Sequence, residues 1–163
     1  MNTSFQQFSG GSNLGRMKLK PPGANSAGEF DRVYIKGGVS VKIFIIIGAA
    51  LAGLSVAFGA FGAHILEGML EPRYLEIWEK GVTYQMLHAI GILIVGVLLS
   101  KLPGNSLLSW SGWLMLIGVI IFSGSLYVLS FTKIGVLGAI TPIGGVSFIV
   151  AWILMIVAAV KYL

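Results

Sequence analysis

The chain contains no cysteine and only two histidines. The absence of cysteine excludes disulfides, thiolate nucleophiles and zinc sites built on cysteine. A zinc centre needs at least about three protein ligands, which two histidines do not supply by themselves. We therefore expect neither a metal nor a cofactor.

Charged residues are also scarce, at 10% of the chain against 56% hydrophobic residues. Soluble domains carry about 25% charged residues, so the composition indicates a membrane protein. No carboxylate interrupts the long apolar runs, which disfavours a proton-coupled exporter of the small four-helix multidrug type. The chain shows no Ser/His/Asp arrangement and no glycine-rich phosphate loop. We therefore expect no catalytic residues and no enzymatic activity.

Four runs without Asp, Glu, Lys or Arg follow one another, at residues 43–66, 82–100, 107–131 and 136–160. Each is close to the ~20 residues that cross a bilayer as a helix. A backbone in lipid must satisfy its own hydrogen bonds, so the runs should be helical. The short connections after the second and third runs favour antiparallel neighbours. The pattern predicts an all-α polytopic membrane protein, an antiparallel four-helix transmembrane bundle whose first partner is the lipid bilayer.

The link between the first two runs holds four of the six acidic residues. It contains Pro72, which suits the first turn of a helix, followed by "RYLEIWEK". Tyr74, Ile77 and Trp78 share one side of that segment, and its charged residues share another. This pattern predicts a short amphipathic interfacial helix between the first and second spans. Gly81 either breaks that helix or lets it run on into the second span.

Residues 1–40 differ in composition from the rest of the chain, being rich in Gly, Ser, Asn and Pro. Such a composition predicts a disordered leader. The dipeptide Glu29-Phe30 is what a GAATTC cloning site encodes, and a GTG start codon would encode Val41. The leader is therefore either a non-native extension or a genuine flexible tail. In both cases residues 41–163 form the four-span transmembrane domain.

Six of the eleven basic residues precede the first apolar run. Their position favours a topology signal or an anionic-lipid contact over a nucleic-acid surface. Counted over the whole chain, eight basic residues lie on the side of the termini and three on the opposite side. This bias predicts that both termini are cytoplasmic. Without residues 1–40 the count is three against three.

Small residues recur on the first span at steps of three or four, at Gly48, Ala52, Ser55, Gly59 and Ala63. Such a stripe lets another helix approach closely, and close packing drives helix association in lipid. We expect a helix-packing face. The alternative function of the stripe is to line a narrow pore or substrate groove.

Polar side chains near the acidic link form the second candidate feature: His64, Tyr84, Gln85 and His88. Glu76, Lys80, Tyr84 and His88 follow at steps of four, with Glu76 and Lys80 in the favourable order for an ion pair. Intramembrane polar groups often mark ion routes, and imidazole titrates near neutral pH. The set predicts either a proton or cation path or contacts between helices. Bis-histidine haem ligation is a further alternative.

The motif "GAFGAH", residues 59–64, followed by "YLEIWEKGVTYQMLHAIG", resembles the domain of unknown function 423 family of small bacterial membrane proteins, to which eukaryotic transmembrane protein 256 is similar. The resemblance covers residues 41–163. It implies a small multi-pass plasma-membrane protein and supplies no catalytic assignment. We expect a structural or interaction protein of the bacterial cytoplasmic membrane, assembling with itself or with other membrane proteins. The alternative is a small transporter or channel with a histidine-lined path.

Overall fold

The computed structural model describes the backbone of residues 27–163 and the side chains from Gly38 onward. Within these residues the chain is helical and contains no strand. Two π-helical segments, in which the hydrogen bond spans five residues, continue α1 and join α3 to α4. The helices are α1 (Ala27–Phe61), α2 (Pro72–Lys101), α3 (Ser106–Gly118), α4 (Gly124–Thr132) and α5 (Val136–Tyr162), and the π segments are Gly62–Leu66 and Val119–Ser123. The predicted all-α class is confirmed.

Four continuous helical stretches of the described residues are long and apolar enough to cross a membrane. The third of them, called the third span below, consists of α3, the second π segment and α4. The predicted multi-pass architecture is therefore confirmed. The stretches are Gly38–Leu66, Pro72–Lys101, Ser106–Thr132 and Val136–Tyr162.

The predicted separate interfacial helix does not form, because α2 runs without a break from Pro72 to Lys101. Its amphipathic residues are the first turns of the second span. Gly81 does not end the helix, since the ring of Tyr127 covers it. A Cβ atom at Gly81 would lie 2.7 Å from Tyr127 Cε1. Because glycine has no side chain, the Tyr127 ring can pack directly against α2 at this position, which brings α2 and the third span together.

The helix α1 begins at Ala27, inside the segment predicted to be a disordered leader. Residues 27–40 are thus helical, which corrects that part of the prediction. Once a span provides a helical nucleus, each residue added to its end costs no new nucleation. Residues 1–26 lie outside the described residues. That residues 1–40 are a non-native extension stays a prediction.

The four spans pack as a central pair with one helix on each flank. The helix α1 packs along α2, α2 packs on the third span, and the third span packs on α5. Consistent with this order, only 17% of an 18-residue apolar stretch of the first span and 22% of that of the fourth are buried in the protein, against 44% and 39% for the second and third. Most of the surface of the first and fourth spans, Gly38–Leu66 and Val136–Tyr162, is therefore open to lipid or to a partner.

Close approach of backbones fixes the crossings of the flanking helices. A Cβ at Gly48 of α1 would lie 2.9 Å from the carbonyl oxygen of Ala89 on α2. A Cβ at Gly144 of α5 would lie 2.6 Å from the backbone nitrogen of Phe122. Glycine allows these approaches, which favour helix association in lipid. A cluster of apolar side chains fills the space between the spans: Phe44, Ile92, Val95, Leu99, Leu108, Met115, Ala151 and Ala158.

Candidate functional site: polar and aromatic side chains among the spans

His88 lies on α2 in the interior of the bundle, only 2% exposed. Its Nδ1 is 2.7 Å from the carbonyl oxygen of Tyr84. Because a carbonyl only accepts, Nδ1 carries the proton, and Nε2 is free to accept from the indole nitrogen of Trp152 at 3.3 Å. The imidazole also stacks on Phe148, with ring centroids 3.4 Å apart. The neutral ring thus bonds within α2 through Nδ1 and joins α2 to α5 through Nε2 and its stacking on Phe148.

The structure does not bring His64 and His88 together. His64 lies exposed in the π segment that ends the first span. The neighbouring Gly62 packs against Trp78, whose indole would lie 2.9 Å from a Cβ there. Trp78 precedes His88 by ten residues of one helix, which is about 15 Å along its axis. A haem held between the two histidines does not fit this arrangement.

Gln85 joins three helices through its amide. Its Nε2 donates to the carbonyl oxygen of Leu51 on α1 at 3.0 Å. The hydroxyl of Tyr127 on α4 donates to Oε1 of Gln85 at 2.9 Å. The hydroxyl of Ser55 donates to the same Leu51 carbonyl at 2.9 Å. Gln85 is 3% exposed, so the amide is a buried, bonded contact between helices.

Tyr84 differs from Gln85 and His88 because it lies on the outside of the bundle, 41% exposed. Its ring packs against Phe122, with centroids 4.5 Å apart. Within the described residues its hydroxyl has no hydrogen-bond partner. Of the four candidates, the structure therefore places Gln85 and His88 inside and His64 and Tyr84 outside.

An aromatic cluster around Trp78 lies at the acidic end of the bundle. The indole nitrogen of Trp78 donates to the carbonyl oxygen of Phe58 at 2.9 Å. Its ring lies 4.5 Å from that of Tyr127 and 5.5 Å from that of Phe131. Sequence reasoning missed Tyr127, which joins this cluster to Gln85. Only the aromatic residue type of Tyr127 inside an apolar run could have drawn attention to it.

The small-residue stripe of α1 faces α2 over most of its length. Gly48 and Ser55 are buried, and Ala52 and Gly59 are half-buried. Ala63 is exposed, and Gly62 takes the buried position beside it. Each step of four residues overshoots one helical turn by about 40°, so two such steps after Ser55 carry Ala63 off the face.

Charged side chains at the acidic end link two loops. Lys133, in a left-handed conformation at φ 58°, ends α4. Its ammonium pairs with the carboxylate of Glu71 and lies 5.2 Å from the centre of the Tyr74 ring. The hydrogen bond that Lys133 donates to Glu71 raises the pKa of Lys133 above its ordinary value. Within the described residues, the expected ion pair of Glu76 and Lys80 is not formed.

Metal-binding side chains do not converge in the described part of the chain. No group of three His, Cys, Asp or Glu residues there is placed to hold an ion. The one buried side-chain polar atom without a partner in that part is the hydroxyl of Ser123, in the second π segment. The other buried polar side chains of the described residues form hydrogen bonds with neighbouring helices or with the helix that carries them.

A family model described as "Protein of unknown function (DUF423)" matches residues 58–145. The chain is 55% identical over 123 residues to the UPF0382 membrane protein YwdK of Bacillus subtilis, covering 76% of this chain and 100% of that protein. It is 49% identical over 122 residues to the UPF0382 membrane protein SERP0230 of Staphylococcus epidermidis, covering 75% of this chain and 98% of the relative. No solved structure matches.

Proposed function

The chain belongs to the DUF423 family of small bacterial membrane proteins, and on that premise we propose that it is a non-enzymatic interaction protein of the bacterial cytoplasmic membrane. In this proposal it associates with a second copy of itself through the outer face of α1.

The outer face of α1 carries the proposal. Ala49, Gly53 and Ala57 recur there at every fourth position, and all three are exposed. No atom of the described protein lies within 4 Å of a Cβ placed at Gly53. Small residues at this spacing let a second helix approach closely, which is the main source of association in lipid. The opposite face of α1 is already used against α2.

The bonded polar interior supports this role over a histidine-lined path. Gln85 and His88 each use their side-chain nitrogens in contacts between or within helices. Trp78, which packs against Gly62 two residues before His64, lies about 15 Å along α2 from His88. Gln85 and His88 therefore act as contacts that hold neighbouring helices in register.

Because the chain contains no cysteine, a single introduced cysteine is the only thiol that can form a disulfide between two copies. Ala57→Cys places a thiol on the outer face of α1, and Ile153→Cys places a matched thiol on α5, where Ile153 is 51% exposed. We expect oxidation in native membranes to give a disulfide-linked dimer with Ala57→Cys and none with Ile153→Cys. Adding Gly53→Val to Ala57→Cys should abolish the dimer. Equal cross-linking at both positions would overturn the proposal.

Flux through proteoliposomes tests the competing path. We expect the purified protein, His64→Ala and His88→Ala to give the same background rates for protons and common cations. A rate above that of empty liposomes that falls in His88→Ala would favour the transporter alternative over the interaction protein.

A further inference from the structure

Three polar side chains stand in one row on the outer surface of α2 near its beginning. Glu76, Lys80 and Tyr84 are each separated by four residues, and all three are exposed. Four residues advance a helix by about 6 Å, so the row extends in two steps of that length from the beginning of α2 into the apolar run of residues 82–100. From outside inward, the order is a carboxylate, an ammonium and a phenol hydroxyl.

All three groups lack a partner among the described residues. Neither Glu76 nor Lys80 forms an ion pair, although their spacing would allow one. The hydroxyl of Tyr84 makes no hydrogen bond there. Lys133, by contrast, is paired with Glu71 at the same end of the bundle. The row therefore keeps its hydrogen-bonding capacity for something outside the protein.

The ring of Tyr84 is held in place while its hydroxyl remains open. It packs against Phe122 at 4.5 Å and lies parallel to the ring of His88 at 6.2 Å. Moving a hydroxyl from water into an apolar medium without a hydrogen bond raises its free energy. These neighbours hold the ring at the start of the apolar run of residues 82–100, where the polar groups of a lipid come within reach once the span lies in a bilayer.

From these observations we infer that the row formed by Glu76, Lys80 and Tyr84 binds one phospholipid whose headgroup ends in a primary ammonium, as in phosphatidylethanolamine. Lys80 binds the phosphate, Glu76 accepts from the ammonium outside it, and Tyr84 donates to an ester carbonyl below it. The polar zone of each leaflet is about 5–8 Å deep, which matches one step of the row from phosphate to ester.

Charge complementarity selects this lipid over an anionic one. Glu79 adds a second exposed carboxylate beside Lys80, and Arg73 adds an exposed cation one turn before Glu76, so the charges around the row sum to zero and match a zwitterionic headgroup better than one with a net negative charge. A carboxylate there attracts an ammonium and repels an additional headgroup anion. A primary ammonium also donates hydrogen bonds to a carboxylate, which a choline headgroup does not do.

The test measures lipid retention by native mass spectrometry. The full chain in detergent is mixed with phosphatidylethanolamine or phosphatidylglycerol of identical acyl chains. We expect phosphatidylethanolamine to be retained about fivefold more strongly, the size of one charge-assisted contact at a surface. Glu76→Gln should remove the preference between the lipids. Lys80→Gln and Tyr84→Phe should each weaken the retention of phosphatidylethanolamine about fivefold.

Lys101→Gln, at the opposite end of α2, is the matched control and should leave retention unchanged. Equal retention of both lipids by the unaltered chain would overturn the inference, as would a preference for phosphatidylglycerol. So would a loss of phosphatidylethanolamine in Lys101→Gln as large as in Lys80→Gln. Circular dichroism of each variant, expected to match that of the unaltered chain, separates lost binding from lost folding.

Discussion

At the scale of single residues, the sequence identified Gln85 and His88 as polar groups in an apolar helix but did not identify their partners. Tyr127 lies 42 positions from Gln85, and Trp152 lies 64 positions from His88. A helix that is apolar on all sides carries no periodic signal for which face turns inward. The rotation of the spans is set by packing between helices, so these pairs appear only in the structure.

Tyr127→Phe removes the hydroxyl that satisfies Oε1 of Gln85. We expect the free energy of unfolding in detergent to fall by about 0.6 kcal/mol and by no more than about 1.7 kcal/mol, the average and the maximum for hydrogen bonds between membrane helices. Tyr162→Phe is the control, because that ring is at the end of α5 and 37% exposed. Equal effects of the two changes would contradict the assignment.

The same pair predicts coupling in a double-mutant cycle. Gln85→Leu removes the amide that Tyr127 meets, so Tyr127→Phe should cost less in that background than in the native one. The free energies of unfolding of the four proteins give the coupling directly. Additive losses would mean that the hydroxyl stabilises the fold through some other contact.

At the scale of helices, the sequence predicted four spans but misjudged where two of them begin. The helix α2 starts at Pro72 and continues through Gly81, which packs against the Tyr127 ring, a contact between residues distant in sequence. The helix α1 extends back to Ala27 across residues whose composition suggested disorder. Spans follow from hydrophobic length, which is local information, whereas helix ends depend on contacts and on propagation from a formed helix.

Two glycines of α1 distinguish its inner and outer faces. A Cβ at Gly48 would lie 2.7 Å from Leu93 Cγ and 2.9 Å from the carbonyl oxygen of Ala89, whereas Gly53 faces open space. We expect Gly48→Val to lower the free energy of unfolding by about 1–3 kcal/mol through overpacking. Gly53→Val, which makes the same change in helix propensity, should leave the monomer as stable as before. Unfolding in detergent at a dilution that keeps the protein monomeric provides the comparison.

At the scale of the whole molecule, the pair formed by Lys133 and Glu71 ties the loop before α2 to the loop before α5. The hydrogen bond to Glu71 raises the pKa of Lys133, so the folded state binds this proton more tightly than the unfolded state. The stabilising contribution is therefore complete below the ordinary lysine pKa. It is lost as the pH rises through the raised value.

Glu71→Gln should therefore shift the titration of Lys133 to lower pH. The measurement is the rate of acylation of the Lys133 amine against pH, followed by peptide mass spectrometry. Half-maximal reactivity should occur at a higher pH in the unaltered chain than in Glu71→Gln. Glu67→Gln, a nearby exposed carboxylate outside the pair, is the control and should leave the curve unchanged. An unchanged curve in Glu71→Gln would contradict the pairing.

The orientation of the molecule in the membrane depends on residues outside the bundle. From Val41 onward three basic residues lie at the end of the bundle that carries the termini and three at the opposite end. They are Lys42, Lys101 and Lys161 against Arg73, Lys80 and Lys133. Five more basic residues precede Val41. If basic residues are retained on the cytoplasmic side, the full chain keeps both termini there. A membrane-impermeant maleimide should then label Glu67→Cys but not Lys161→Cys in intact cells. A chain starting at Val41 lacks the bias, so both cysteines should label in part. Labelling of Lys161→Cys in the full chain would contradict this prediction, because it would place the C-terminus outside the cell.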